Sequence, residues 1–218
     1  MHTLYATIGS GNCYKAHLVM MQLKIAYRTE MIDVLKGETR QPRYLAINPN
    51  GTVPFLCLGD GRTIAESNAM LWYLAAGSHL APQSNYDQAM AVQWMIFEQT
   101  RLEPNISPAR FFTTILPEHR EEKSAEIAEW QRKGHQGLVL LDAHLSKHDF
   151  IAGDRYSIAD IAVYGYTHVA GEGGFDLSAY PGVMAWLDRI AANPDHVGMN
   201  EVSGASVPKA RYRRVGVK

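Results

Sequence analysis

NPNGTVPFLCLGDGRTIAESNAM, residues 48–70, is the stretch of sequence around which the chain is organised. Two short β-rich runs, 53–58 and 62–65, are separated by Gly-Asp-Gly, and such a connection between apolar runs predicts a tight hairpin turn. Glu66 and Ser67 then open an apolar helix. Because backbone N–H groups at a helix start attract anions, and a serine there adds a hydroxyl, this helix start is a predicted anion site.

Pro54 stands near the start of the first run, where it donates no hydrogen bond to a neighbouring strand, and a proline there suits a cis peptide bond. Val53-Pro54, the hairpin and Glu66-Ser67 together resemble the glutathione transferase family. The resemblance implies that Val53 and Pro54 contact glutathione, and that the backbone of Val53, before a cis-proline, pairs with the cysteinyl part of glutathione. It also implies that Glu66 and Ser67 hold the γ-glutamyl end.

The predicted elements before residue 78 follow the order β-α-β-α-β-β-α. Strands are predicted at 3–8 and 27–34, with a helix between them and one or two helical turns before residue 48. This order is that of the thioredoxin-like fold, a mixed sheet with helices on both faces. We therefore expect a thioredoxin-like, glutathione-binding domain at 1–78.

No strand pattern follows the linker at 78–86, so a second domain at 86–203 is expected to be all-α, and the fold class is α/β plus all-α. Pro104 and Pro108 should bend or interrupt one of its helices. Ser157 and Asp160 have the spacing of a capping box, which predicts a central helix whose cap has a structural role. For the basic tail at 204–218, a solvated segment is favoured over a clasp on anions or on a partner subunit.

The composition of the 218 residues, 46% hydrophobic and 20% charged, predicts a packed core, and the net charge of −1 argues against a nucleic-acid binder. No apolar run approaches the roughly 18 residues of a membrane span, and the N-terminus lacks a signal-peptide pattern, so a cytoplasmic protein is expected. Two cysteines make no disulfide framework. No metal site is predicted, because the nine histidines lack zinc spacing, and His144 and His148 favour a solvated helix face.

Ser10 and Asn12, between the first strand and the first helix, are the candidate catalytic residues. In the resemblance, serine-type enzymes keep a hydroxyl early in this loop, and some bacterial members similar to the nu class have an asparagine two residues later. The chemical task is to ionise a thiol with a pKa of about 8.5, and lowering that pKa by two units takes roughly 2.7 kcal/mol. A hydroxyl, an amide and a helix N-terminus supply this together. Loop and helix-cap chemistry is the alternative role for both residues.

Ser10 and Cys13 have the spacing of a Cys-x-x-Cys redox motif with serine in the first place, so no internal disulfide forms there. Redox chemistry would require an external thiol, and glutathione fits that need. Cys13 falls on the apolar stripe of the first helix and Cys57 in a predicted strand. Both cysteines are therefore expected to be buried and inert.

The glycyl carboxylate of glutathione needs a cation or hydrogen-bond donors. Arg40 and Asn50 are the candidates, because Thr39 and Thr52 depart from the residues that relatives often carry. The resemblance also places an electrophile pocket between the two domains. Its candidate lining consists of three aromatic residues, Phe111, Phe112 and Tyr164.

The leading hypothesis is a glutathione transferase, in which the thiolate of glutathione, the co-substrate, attacks a small hydrophobic electrophile. A glutathione-dependent disulfide reductase or peroxidase is the second hypothesis, and a non-catalytic binding protein with the same fold is the third. The resemblance further implies a homodimer, which an apolar surface around residues 94–97 would suit. Arg101 and Glu103 would then reach toward the neighbour's active site.

Overall fold

The computed structural model describes residues 1–199, which contain a four-stranded sheet and a helical half. The strands are β1 (His2–Ala6), β2 (Tyr27–Met31), β3 (Phe55–Cys57) and β4 (Thr63–Ala65), in the spatial order β2-β1-β3-β4. β1 and β2 are parallel, whereas β3 is antiparallel to β1 and to β4. The predicted mixed sheet of a thioredoxin-like fold is confirmed. The basic tail at 204–218 lies outside the described residues.

Helices make up most of the rest of the described chain. Their bounds are α1 (Gly11–Gln22), α2 (Pro42–Leu45), α3 (Ser67–Ala75), α4 (Asn85–Phe97), α5 (Glu103–Arg110), α6 (Ser124–Leu145), α7 (Ile158–Thr167) and α8 (Pro181–Ala191). Residues 66–199 contain no strand, so the prediction of an all-α second half is confirmed for the described part of the chain.

β3 and β4 form the predicted hairpin, in which Phe55 pairs with Ala65 and Cys57 with Thr63. The paired strands are shorter than the predicted runs because Pro54, which has no N–H to donate, precedes the ladder instead of joining it. The Val53–Pro54 peptide bond is cis, as the sequence suggested. The hairpin therefore delivers the Val53 backbone and the start of α3 to the same end of the sheet.

α1 is buried on nearly all sides because it packs against α3 and also against α7. Gly11 and Gly165 permit this close approach, since a Cβ at Gly11 would lie 2.4 Å from the Gly165 carbonyl oxygen. Ten of the 12 residues of α1 are buried, and they include the polar side chains of Lys15 and His17. The loop that precedes α1 is thereby held between the sheet and the helical half.

The segment around Pro104 and Pro108 departs from regular α-helix on both sides, as predicted. The backbone forms π-helical turns at Glu98–Leu102 and Phe111–Ile115, which flank α5. Proline removes a helical N–H, and its ring clashes with the carbonyl group four residues earlier. π-Helical turns are frequent at functional sites. Here the irregular segment turns three charged residues toward the sheet domain: Glu98, Glu103 and Arg110.

The predicted capping box at the start of α7 is confirmed. Ser157 caps the helix by accepting a hydrogen bond from the Ala159 N–H, while Asp160 Oδ2 accepts the Ser157 N–H at 2.9 Å. Asp160 Oδ1 also accepts the Ile151 N–H and Trp186 Nε1–H, each at 2.9 Å. Asp160 is wholly buried, and this burial raises its pKa to about 6 against the opposing hydrogen bonds. Its role is structural.

The expected apolar surface at residues 94–97 is wrong in one respect, because Trp94 faces inward. It is 7% exposed and packs against Phe97 and His144, with ring centroids 5.0 and 4.6 Å away. Ile96, two residues after Trp94 in α4, faces outward and is 58% exposed.

His144 and His148 stack on each other, and the described residues hold no cluster of three or more side chains suited to a metal ion.

None of the described helices is both long and apolar enough to cross a membrane.

Candidate functional site

A polar cavity of about 310 Å³ opens where the hairpin, the start of α1 and α5 meet. Its lining residues are Ser10, Asn12, Thr52, Val53, Pro54, Glu66, Ser67, Glu103 and Tyr166. Six of these were predicted from the sequence to contact glutathione. They lie up to 57 positions apart in the chain, between 10 and 67, and the fold brings them to one cavity.

Ser10 is the N-cap residue of α1. Its Oγ accepts a hydrogen bond from the Cys13 N–H at 3.3 Å, so the hydroxyl hydrogen can be donated either to its neighbour Tyr166 or to a bound ligand. The first N–H groups of a helix lack intrahelical acceptors, and the helix dipole favours negative charge at this end. A sulfur bound beside Ser10 would therefore be stabilised as a thiolate.

Asn12 lies in the first turn of α1, with its side-chain oxygen turned into the protein. Asn12 Oδ1 accepts hydrogen bonds from Lys15 Nζ at 2.9 Å, Ser67 Oγ at 3.1 Å and Gln99 Nε2 at 3.3 Å. Because the oxygen is held by these donors, the amide Nδ2 is the end of the side chain that remains for the cavity. Asn12 is thus placed as a hydrogen-bond donor toward a ligand.

Glu66 and Ser67, at the start of α3, also line this cavity. Glu66 has a left-handed backbone (φ 69°), a conformation that costs a non-glycine residue of the order of 1–3 kcal/mol and clusters at ligand sites. Ser67 is 4% exposed and donates its hydroxyl to Asn12. The α3 start therefore combines a carboxylate with helix N–H groups, which suits a ligand end that carries both an ammonium and a carboxylate.

Glu103 lines this same cavity. The sequence analysis expected it to reach toward the active site of a neighbouring subunit in a homodimer. Burial raises the pKa of its carboxyl, and the nearby charges of Glu98 and Glu66 raise it further, with Lys15 opposing them. These crowded carboxylates favour a cation in the cavity, because an ammonium beside them relieves the repulsion. Within the chain itself, Glu103 lies on the wall of the polar cavity.

A second, larger cavity of about 580 Å³ adjoins the first and is mostly apolar. Its lining residues are Thr7, Ile8, Gly9, Ser10, Met31, Ile32, Asp33, Val34, Leu35, Glu38, Val53, Ser107, Arg110, Phe111, Ile115 and Tyr166. Ser10, Val53 and Tyr166 line both cavities. A ligand in the polar cavity and a hydrophobic molecule in the apolar one would therefore meet beside Ser10.

Phe111 is the one member of the predicted aromatic lining that borders the apolar cavity. Phe112 instead stacks on Trp130, with ring centroids 5.9 Å apart. Tyr164 stacks on His168 at 4.5 Å, on the inner side of α7. The choice of Phe112 and Tyr164 is therefore corrected.

Tyr166 takes the place expected of Tyr164. Two residues along an α-helix correspond to about 200° of rotation, so Tyr166 faces the cavities when Tyr164 faces the core. Tyr166 is 6% exposed, and burial raises the pKa of its hydroxyl, which hydrogen bonds with Ser107 and Ser10 oppose. The phenol is thus a neutral hydrogen-bond donor at the junction of the two cavities.

Arg40 and Asn50 do not line the polar cavity. The Arg40 side chain packs over Gly51, where a Cβ would lie 2.8 Å from its Nη1, and the Asn50 N–H donates to Asn48 Oδ1 at 3.2 Å. Thr52, in the same loop, is the residue that reaches the cavity wall. The loop thus contributes Thr52 to the cavity lining, whereas Arg40 is an exposed residue outside it.

Cys13 is 4% exposed, and its Sγ accepts the Thr7 N–H at 3.4 Å. Burial raises the pKa of its thiol to about 11, so it is protonated at neutral pH. Burial also raises the pKa of Cys57, which is partly exposed. The expectation that Cys13 is buried is confirmed, and neither cysteine lines the two cavities.

Both halves of the chain match known protein families. Residues 9–76 match the N-terminal domain of glutathione S-transferases, and residues 102–194 match their C-terminal domain. Glutathione S-transferase F9 of Arabidopsis thaliana is 32% identical over 191 residues, which cover 83% of this chain and 87% of that protein. The disulfide-bond oxidoreductase YfcG of Escherichia coli is 27% identical over 191 residues, covering 84% and 87%.

Solved structures show the same architecture. A possible glutathione S-transferase from Rhodopseudomonas palustris superposes with a TM-score of 0.88 at 45% identity, covering 91% of this chain and 98% of that one. The glutathione transferase URE2P8 of Phanerochaete chrysosporium, solved with oxidised glutathione, has a TM-score of 0.78 at 25% identity, covering 89% and 90%.

Proposed function

Because this chain belongs to the glutathione S-transferase family, we propose that it joins the sulfur of glutathione to small hydrophobic electrophiles. The observation that carries the proposal is the position of Ser10, a helix-capping hydroxyl on the wall shared by a polar and an apolar cavity. Glutathione fits the polar cavity as co-substrate, and the electrophile fits the apolar one.

Each end of glutathione has a complementary wall in this assignment. The γ-glutamyl carboxylate meets the N-terminus of α3 and Ser67, while its ammonium lies between Glu66 and Glu103. The cysteinyl backbone pairs with Val53, next to the cis-proline. The glycyl carboxylate lies toward Thr52, with the exposed Arg40 outside the cavity lining.

The chemical step is nucleophilic attack by the ionised sulfur. Ser10 Oγ–H, Asn12 Nδ2–H and the α1 N-terminus stabilise the thiolate more than the thiol, which lowers its pKa and raises the reactive fraction. The sulfur then forms a bond to an electrophilic carbon as a leaving group departs with its electron pair, or it adds to an activated double bond, whose π electrons move toward the activating group and then take up a proton from solvent. Tyr166 is placed to donate a hydrogen bond to the charge that develops on the electrophile.

A glutathione-dependent disulfide reductase is the second candidate function, and the similarity to the Escherichia coli oxidoreductase favours it. In that reaction the glutathione thiolate attacks a disulfide and releases one thiolate, and a second glutathione resolves the mixed disulfide to give oxidised glutathione. The buried Cys13 takes no part in these steps. Both candidate reactions require the same activated sulfur beside Ser10.

We also propose a homodimer built on the apolar groove between α3 and α4. The groove has a volume of about 490 Å³, and its exposed apolar side chains are Trp72, Val92 and Ile96. Sedimentation at micromolar concentration should show a dimer, and Ile96→Glu should shift it toward monomer. Sedimentation of the parent and of Ile96→Glu as monomers alike would contradict this assembly.

We also propose a cytoplasmic location, because the reaction requires reduced glutathione.

Purified protein assayed with a chloroaryl electrophile, a hydroperoxide and a small disulfide separates the candidate functions. The transferase proposal expects conjugation of the chloroaryl compound, measured as product absorbance, that is lost in a Ser10→Ala/Asn12→Ala double variant. Turnover of the disulfide or hydroperoxide alone would favour the second candidate. Glutathione binding by calorimetry without turnover of any of the three would replace both with a binding protein.

A further inference from the structure

Lys15 and Glu98 form a fully buried ion pair beneath the polar cavity. Lys15 Nζ lies 2.7 Å from Glu98 Oε2, and both side chains are 0% exposed. Lys15 is in α1 and Glu98 opens the π-helical turn after α4, so the pair joins the sheet domain to the helical half. None of the residues predicted from the sequence to act on glutathione belongs to this pair.

The packing between α1 and α7 leaves space for the aliphatic part of the Lys15 side chain. A Cβ at Gly165 would lie 2.7 Å from Lys15 Cε and 2.8 Å from its Cγ, so a glycine in α7 leaves the passage through which the side chain runs. Burial of two charges carries a large desolvation penalty, and apolar replacements of such pairs are often as stable. Packing alone therefore gives little reason for charges at these two positions.

Lys15 also fixes which end of the Asn12 amide faces the cavity. An ammonium group donates hydrogen bonds and accepts none, so the Asn12 atom 2.9 Å from Lys15 Nζ must be the oxygen. Gln99 Nε2 lies 2.8 Å from Glu98 Oε2 and 3.3 Å from Asn12 Oδ1, which links the same three groups. With its oxygen held inside, Asn12 presents its amide N–H to the cavity that it lines.

We propose that the Lys15–Glu98 pair is a positioning device that holds Asn12 as a hydrogen-bond donor to the glutathione sulfur and strengthens that donor. A cation on the amide oxygen draws electron density from the amide nitrogen, which makes its N–H a better donor in a dry interior. Glu98 holds the ammonium in position through the 2.7 Å ion pair. This inference rests on the proposed function, because the sulfur beside Asn12 is that of glutathione.

A purely structural ion pair would leave the ionisation of bound glutathione unchanged, so the decisive measurement is the pH dependence of thiolate absorbance. Lys15→Met/Glu98→Met removes both charges with side chains of similar length and leaves no buried charge unpaired. We expect this double variant to bind glutathione but to raise the apparent pKa of its thiol by about one unit, which lowers the thiolate fraction roughly tenfold at pH values well below that pKa. In an Asn12→Ala background the same double substitution should add no further shift.

A second variant tests the same inference if the Lys15→Met/Glu98→Met protein does not fold. Gly165→Ala retains both charges but presses on the Lys15 stem, so it should raise the thiol pKa in the parent and add no shift in an Asn12→Ala background, which separates this effect from pressure on the Gly11 carbonyl oxygen 3.1 Å away. If the double variant and Gly165→Ala fold but keep the parental pKa of the bound thiol, and Asn12→Ala raises that pKa, this inference alone is overturned. A parent protein that binds no glutathione would overturn the proposed function and this inference together.

Discussion

The Ser67 hydroxyl donates a hydrogen bond to Asn12 Oδ1 over 3.1 Å, which joins the start of α3 to the start of α1. The two residues are 55 positions apart, and in the proposed complex they contact different groups of one ligand. Ser67 contacts the γ-glutamyl end, whereas Asn12 faces the sulfur. The recognition of the tripeptide and the activation of its thiol therefore share one network of polar side chains.

Ser67→Ala should weaken glutathione binding by about 1–3 kcal/mol, because the Ser67 hydroxyl, which donates to Asn12 Oδ1 in the free protein, would turn to the ligand carboxylate in the complex and is lost in the variant. Titration calorimetry measures this affinity directly. Ser84→Ala is the matched control, since Ser84 caps α4 through the Asp87 N–H at 3.0 Å, away from the cavity. Equal affinities for Ser67→Ala and Ser84→Ala would remove Ser67 from the binding site.

Tyr166→Phe should lower the turnover of a chloroaryl substrate by roughly 10- to 100-fold while glutathione affinity stays near the parental value. The phenol donates to charge that appears only as the electrophile reacts, and such an interaction affects kcat more than ground-state binding. Steady-state kinetics at saturating glutathione gives the comparison. Tyr164→Phe, two positions away and facing the core, should retain parental turnover. The reverse pattern would restore Tyr164 as the pocket residue.

Asp160 should give folding stability a pH dependence of known sign. Its pKa is raised from 3.8 to about 6 by burial, so the folded protein binds this proton more tightly than the unfolded chain. The stabilisation is fully present below pH 4 and is lost as the pH rises through about 6. Urea unfolding of the parent and of Asp160→Asn should show a stability difference that falls over this window. A difference independent of pH would show that Asp160 does not titrate there.

The hairpin and the capping box were predictable because short local patterns determine them: turn residues between apolar runs, and Ser157 followed by Asp160. Tyr166 was missed because periodicity shows that α7 is buried without showing which face meets a cavity. The Lys15–Glu98 pair could not be predicted from the sequence for another reason. It joins positions 83 apart, and its formation depends on the space that Gly165 leaves. Contacts between domains set these details, and no local pattern encodes them.

The pH dependence of thiolate absorbance in Ser10→Ala tests the central claim most directly. Loss of the hydroxyl should raise the apparent pKa of bound glutathione by about one unit and lower turnover accordingly, while affinity stays near parental because Val53, Glu66 and Ser67 hold the tripeptide in either state. Cys13→Ser, measured in parallel, should remain active. A parental profile for Ser10→Ala together with an inactive Cys13→Ser would contradict the account and assign the chemistry to the cysteine.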